Sequence, residues 1–150
     1  MSNSYVSQLL HCVFSTKDRR PMITPALQER MVPYIGGIAR EHDTKLIAAG
    51  GIDDHLHLLI SLSKRLDISK AMQLIKGGSS KWIHDTFPEH RSFEWQKGYG
   101  AFSIGVSEKK RTIDYINSQG RHHQKRDFRN EFLLFLDKNE IEYDPRFVFG

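Results

Sequence analysis

The amino-acid sequence predicts an α+β protein of the ferredoxin-like kind, a split β-α-β-β-α-β antiparallel sheet with helices on one face and an additional C-terminal helix. Three observations carry that expectation. Strand-like and helix-like hydrophobic periods alternate in the order strand, helix, strand, strand, helix, strand. The two middle strands are separated by a short connection that reads as a hairpin. Two helix starts carry capping residues at the expected places, Thr24 before Pro25 and Asp67 before Ile68.

Taken in order, Tyr5 to Ser15 reads as the first strand, with Val6, Leu9, Leu10, Val13 and Phe14 as its apolar content. Leu27, Met31, Tyr34, Ile35 and Ile38 recur at helical spacing, so a helix should run from Pro25 to about Glu41, with Pro33 and Gly36-Gly37 as weak points. Lys45 to Ala49 forms a second strand that passes through Gly50-Gly51 into a third, Asp53 to Ile60. The stripe Ile68, Ala71, Met72, Ile75, Ser79, Trp82 and Ile83 makes a second helix, in which Gly77-Gly78 would permit close packing against the sheet. A loop from Phe87 to Gly100 leads to a fourth strand, Ala101 to Val106. Ser107 is placed to cap a helix running to about Gly120. A last helix starts near Asp127 and buries Phe128, Phe132, Phe135 and Leu136, and the aromatic tail from Ile141 should pack back on the domain.

The composition narrows the function classes. At 150 residues the chain is one domain, 1–150, with no internal repeat or low-complexity segment. No apolar run approaches the ~20 residues of a spanning helix, and the N-terminus lacks a signal-peptide pattern, so a cytoplasmic protein with no membrane partner is expected. The single Cys12 sits in an apolar run and reads as a small core residue. The formal charge is +4, but the segment from Ser107 to Asn130 holds seven basic against three acidic residues, a net +4 of its own. With His122 and His123 inside it, that segment points to a polyanionic partner. Lys17, Arg19, Arg20, Lys109, Lys110, Arg111, Arg121, His122, His123, Lys125 and Arg126 are the candidate phosphate contacts. Trp95, Tyr99 and Phe102 are candidates for stacking on unpaired bases, with core packing the competing reading, foremost for Phe102.

The chemistry-bearing stretch is His55-Leu56-His57 on the third strand. Side chains alternate along a strand, so both imidazoles face one way and Leu56 and Leu58 the other. Two imidazoles on one face can hold a divalent ion. About sixty residues on, Tyr115 and Gln119 stand four apart on one helical face, with His122 and His123 continuing it. A tyrosine hydroxyl can attack a phosphodiester where a metal polarises the phosphate. His55, His57 and the side-chain oxygen of Gln119 would hold Mg²⁺ or Mn²⁺. His122 or His123 is an alternative third ligand, and Asp54 either supports the site or caps the strand end.

His55-Leu56-His57 together with Tyr115-Ile116-Asn117-Ser118-Gln119 resembles the single-tyrosine transposases of the HUH nuclease superfamily. His11-Cys12-Val13-Phe14-Ser15-Thr16-Lys17, the run Trp95 to Ser103, His122-His123 and Glu142-Tyr143-Asp144-Pro145-Arg146 fit the same family, so the likeness spans nearly the whole chain. The resemblance implies Tyr115 as nucleophile and His55, His57 and Gln119 as metal ligands. It implies insertion-sequence enzymes that act on single-stranded DNA with hairpins, form a 5′-phosphotyrosine link, use no nucleotide cofactor and work as homodimers whose tyrosine helices can complete each other's sites. Two rival readings stand beside it: a domesticated relative processing chromosomal repeat hairpins, and a noncatalytic single-stranded nucleic-acid-binding module. The second rival has no use for two histidines and a tyrosine together. Replication initiators and relaxases of the superfamily are usually larger.

Overall fold

A computed structural model describes residues 3–122 and 127–149, with only the backbone of Arg121 and His122. Strand β1 (Leu9–Ser15) leads through a short 3-10 turn (Lys17–Arg19) to α1 (Pro25–Glu41). The hairpin β2 (Lys45–Ile52) and β3 (His55–Ser61) follows, then α2 (Ile68–Thr86) and, after a loop, β4 (Gly100–Ile104). The C-terminal part is α3 (Lys109–Asn117), α4 (Gln119–His122) and α5 (Phe128–Lys138). The four strands pair antiparallel in the order β2-β3-β1-β4, the split β-α-β-β-α-β topology predicted. No described helix is long and apolar enough to cross a membrane.

Local chemistry sets the elements of the first layer. The Thr24 hydroxyl accepts from the Leu27 amide at 3.1 Å with Pro25 at the first helical position, and α1 continues through Pro33. The Asp67 carboxylate accepts from the Lys70 amide at 2.7 Å to start α2. Alternate residues of the central strands, Cys12 and Phe14 on β1 and Leu56, Leu58 and Ile60 on β3, bury against Leu27, Met31 and Ile35 of α1 and Met72, Ile75 and Ile83 of α2. Each such side chain stabilises the fold by about 1.5–3 kcal/mol through burial. Burial also pushes the Cys12 thiol up to about 12, as expected of an inert core cysteine.

Several local expectations are corrected. β1 starts at Leu9, not Tyr5, whose side chain is exposed. Gly50-Gly51 lies inside β2, and the hairpin turns at Asp53-Asp54. A Cβ on Gly51 would strike the His55 carbonyl, and one on Gly50 would stand 2.5 Å from the Ile116 carbonyl of α3. Gly50 thus lets the tyrosine-bearing helix lie on the sheet, while Gly51 lets β2 and β3 close into their hairpin. Gly78 meets Ile38 of α1 and not the sheet. β4 ends at Ile104, and Ser107 caps nothing: a 3-10 turn (Val106–Glu108) precedes α3. Helix α3 stops at Asn117, where Ser118 (φ −107°, ψ 21°) interrupts it before α4.

Helices cover both faces of the sheet. The second face carries His11 and Val13 of β1, His55 and His57 of β3 and Phe102 of β4, beneath Phe128, Phe132 and Leu136 of α5. The tail returns over this layer through Tyr143, Val148 and Phe149, as expected. Trp95 and Phe102 are corrected as base-stacking candidates. Trp95 is buried and its indole N–H donates to Ser79 Oγ at 3.0 Å, and Phe102 is buried and stacks on Phe135. Tyr99 is half-buried against the first core, within 6.0 Å of the Lys76 ammonium.

Two predictions follow from the second face. Gly50→Ala should destabilise the protein by about 1–3 kcal/mol in urea denaturation, because the added methyl's nearest neighbour is the Ile116 backbone carbonyl, which cannot turn away. Burial, with a smaller push from His57 and an opposing pull from Glu131, lowers the His11 imidazole to about 3. The folded ring therefore stays neutral while the unfolded one takes a proton near pH 6.5, so stability falls as pH drops from about 6.5 toward 3. His11→Gln should reduce that slope by up to about 1.4 kcal/mol per pH unit in melts compared between pH 7.5 and 4.5.

Candidate active site and metal centre

His55 and His57 sit next to each other on the second face of β3, both fully buried. Their flanks are closed by strand pairing: His55 lies opposite Ser15 and Ile52, and His57 opposite Val13 and Gly50. Each ring is held by a partner at Nδ1. His55 Nδ1–H donates to Asp54 Oδ1 at 2.8 Å, so Asp54 supports the site. His57 Nδ1 pairs with His11 Nε2 at the same distance. Those contacts aim both Nε2 atoms into one space, the arrangement by which outer partners orient ligating imidazoles.

Glu131, 3% exposed, enters that space from α5. The helix starts on Asp127, whose carboxylate accepts from the Asn130 amide at 2.9 Å. Its apolar residues Phe128, Phe132 and Leu136 pin it to the sheet and carry Glu131 inward. Oε1 of Glu131 lies 2.9 Å from His57 Nε2 and 3.6 Å from His55 Nε2. Its Oε2 accepts a hydrogen bond from the half-buried Tyr115 hydroxyl. Gln119, also buried, brings Oε1 to 3.0 Å from His55 Nε2. The ligand atoms of His55, His57 and Glu131 all lie within 4.8 Å of one another. Two imidazole nitrogens, a carboxylate and an amide oxygen converging under a buried face fit a divalent ion.

Tyr115, His55, His57 and Gln119 are thus brought together within one chain, although Tyr115 and Gln119 stand on two helices separated at Ser118 and not on one continuous face. Glu131 and the supporting role of His11 were missed. The readable signal for Glu131 is a carboxylate set within the apolar stripe of its helix, three residues after Phe128 and four before Phe135.

The candidate phosphate contacts fare differently. Lys17 forms an exposed ion pair with Glu94 at 3.4 Å, and Arg20 approaches Asp18 at 3.9 Å. The Arg19 guanidinium lies over the ring of Phe149, 5.2 Å from its centre, so the tail occupies it. Lys109, Lys110 and Arg111 lie in the first turn of α3, and Arg111 borders a cleft that opens beside Tyr115. His123, Lys125 and Arg126, and the side chains of Arg121 and His122, fall outside the described residues.

The family described as "Transposase IS200 like" matches residues 4–119, which include His55, His57, Tyr115 and Gln119. The transposase for insertion sequence element IS200 of Salmonella typhimurium is 25% identical over 115 residues, covering 73% of this chain and 74% of its own. The ISDra2 transposase TnpA of Deinococcus radiodurans is 22% identical over 121 residues, covering 77% and 86%. The structure of a REP-associated tyrosine transposase bound to a REP hairpin superposes with a TM-score of 0.60 at 17% identity, over 82% of this chain and 73% of that one. The match over more than half of the chain settles the family: this protein belongs to the IS200-like transposases.

Proposed function

We propose that this transposase cleaves and rejoins single-stranded DNA at hairpin-bearing ends through Tyr115, using a divalent ion, Mg²⁺ or Mn²⁺, held by His55, His57, Gln119 and Glu131. The observation that carries the reading is the hydrogen bond from the Tyr115 hydroxyl to Glu131, whose other carboxylate oxygen lies 2.9 Å from His57. A nucleophile is thereby held at the edge of the donor cluster, where a phosphate would be polarised.

Tyr115 Oη forms a bond to phosphorus and the bond from phosphorus to the 3′ oxygen breaks. The phenol proton passes to Glu131 Oε2, its hydrogen-bond partner, and the departing 3′ oxygen takes a proton from solvent water to become a hydroxyl. A divalent ion at the cluster supplies Lewis-acid stabilisation of the charge that builds on the phosphate oxygens. His11 and Asp54 keep the two imidazoles turned so that their Nε2 atoms face inward. Attack by a second strand's 3′-hydroxyl on the phosphotyrosine reverses the step, so the phosphodiester energy is conserved and no nucleotide cofactor is needed.

A homodimer in the cytoplasm fits this role, and the neighbour bound to a REP hairpin supports hairpin DNA as the partner. The same neighbour favours a second reading, a domesticated relative that processes chromosomal repeat hairpins. Hairpin-bearing ends on both sides of the gene mark a mobile element, and dispersed hairpin repeats without such ends mark the domesticated relative.

Incubated with Mg²⁺ and single-stranded oligonucleotides from the flanking DNA, the protein should form a covalent adduct visible on a denaturing gel. Tyr115→Phe or chelator should abolish it, and a Tyr115→Phe protein that still cleaves would refute the assignment. Glu131→Gln should weaken Mn²⁺ binding by about 10-fold or more in calorimetric titration, while Tyr115→Phe leaves that affinity within about twofold.

A further inference from the structure

Beside the metal centre, between β4, α3 and α5, a cleft of about 180 Å³ opens with Tyr115 in its wall. We infer that it receives the base of one unpaired nucleotide adjoining the phosphate that Tyr115 attacks. The inference rests on the proposed phosphodiester chemistry and deepens it by giving the substrate a second point of attachment.

The shape of the cleft carries the argument first. Its volume falls below the roughly 300 Å³ at which sites for drug-sized ligands begin, so it suits a single heterocycle and not a base pair. Its inner wall is aromatic. Phe102 and Phe135 are stacked with centroids 5.4 Å apart at 17°, and Tyr115 meets Phe135 edge-on at 5.8 Å. A flat unsaturated ring entering there meets Phe135 and Tyr115, with the buried Phe102 behind them holding Phe135 in place, aromatic surroundings of the kind that hold unstacked bases.

Charge at the rim completes the fit. Arg111 of α3 and Lys138 of α5 border the opening, both exposed, where the phosphates flanking an inserted base would pass. The acid of the rim, Glu108, turns a carboxylate oxygen toward the Gly105 amide at 3.4 Å. Two cations against one partly engaged carboxylate favour a polyanionic strand over a neutral or cationic ligand. Because Tyr115 belongs both to this wall and to the hydrogen bond with Glu131, a base seated in the cleft would fix the strand next to the nucleophile.

An abasic walk tests the inference. A fluorescent single-stranded oligonucleotide from the flanking DNA is bound to the full chain under chelation, so that no strand is cut, with an abasic nucleotide placed at each position in turn. The expected result is one position at which loss of the base weakens binding about tenfold, with Phe135→Leu binding the intact and abasic strands alike. Lys138→Gln should lower the salt dependence of binding by roughly 0.7 in log–log slope. A Phe135→Leu protein that keeps the full abasic penalty overturns the pocket. Should that variant fail to fold, judged by circular dichroism, an unchanged salt slope in Lys138→Gln overturns it instead. Adduct formation without the Phe135 coupling refutes the pocket alone, and coupling without an adduct refutes the tyrosine chemistry alone.

Discussion

One buried carboxylate ties the second half of this protein to the first. Glu131 reaches from α5 to within 2.9 Å of His57 and accepts the hydroxyl of Tyr115, so a helix near the C-terminus, a central strand and the tyrosine-bearing helix meet at two oxygens. A charge so far from water is tolerable only with partners that answer it, and its neighbours here are imidazoles and a phenol. The surrounding features read as what it takes to place that group. Asp127 starts α5, Phe128 and Phe132 press it on the sheet, and Gly50 lets α3 lie close enough for Tyr115 to arrive.

The two faces of the sheet divide the work. The face under α1 and α2 is aliphatic and closed, with Phe93 and Trp95 of the connecting loop completing it. The other face accepts buried histidines, a glutamine and a glutamate, groups that cost stability unless hydrogen-bonded, and its own core is a small aromatic cluster. The larger apolar core is thus on one face and the buried polar donor cluster on the other. That separation is consistent with membership of a family whose matched members here share only a quarter of their residues or fewer with this chain.

Much of this was legible in the residues themselves. The period of α1 and α2, their Thr24 and Asp67 caps, the strand order and the shared face of His55 and His57 all follow from local patterns that survive folding unchanged. What was not legible depends on contacts distant in sequence. Gly50-Gly51 looks like a chain break until α3 is seen against it. Glu131 looks like one of several helix acids until its helix is laid on the sheet, and His11 has no stated task until His57 is placed beside it. Trp95 misleads for the same reason, since an aromatic in a loop reads as exposed when nothing local shows the core that receives it.

The central claim is that β3 and α5 together build one cation site at Tyr115, and electron spin-echo spectroscopy of the Mn²⁺-loaded protein tests it most directly. The account predicts one bound Mn²⁺ per chain with modulation from two imidazole nitrogens, reduced to one nitrogen in His57→Ala. A bound ion showing no nitrogen coupling, or coupling that survives loss of both His55 and His57, would contradict it.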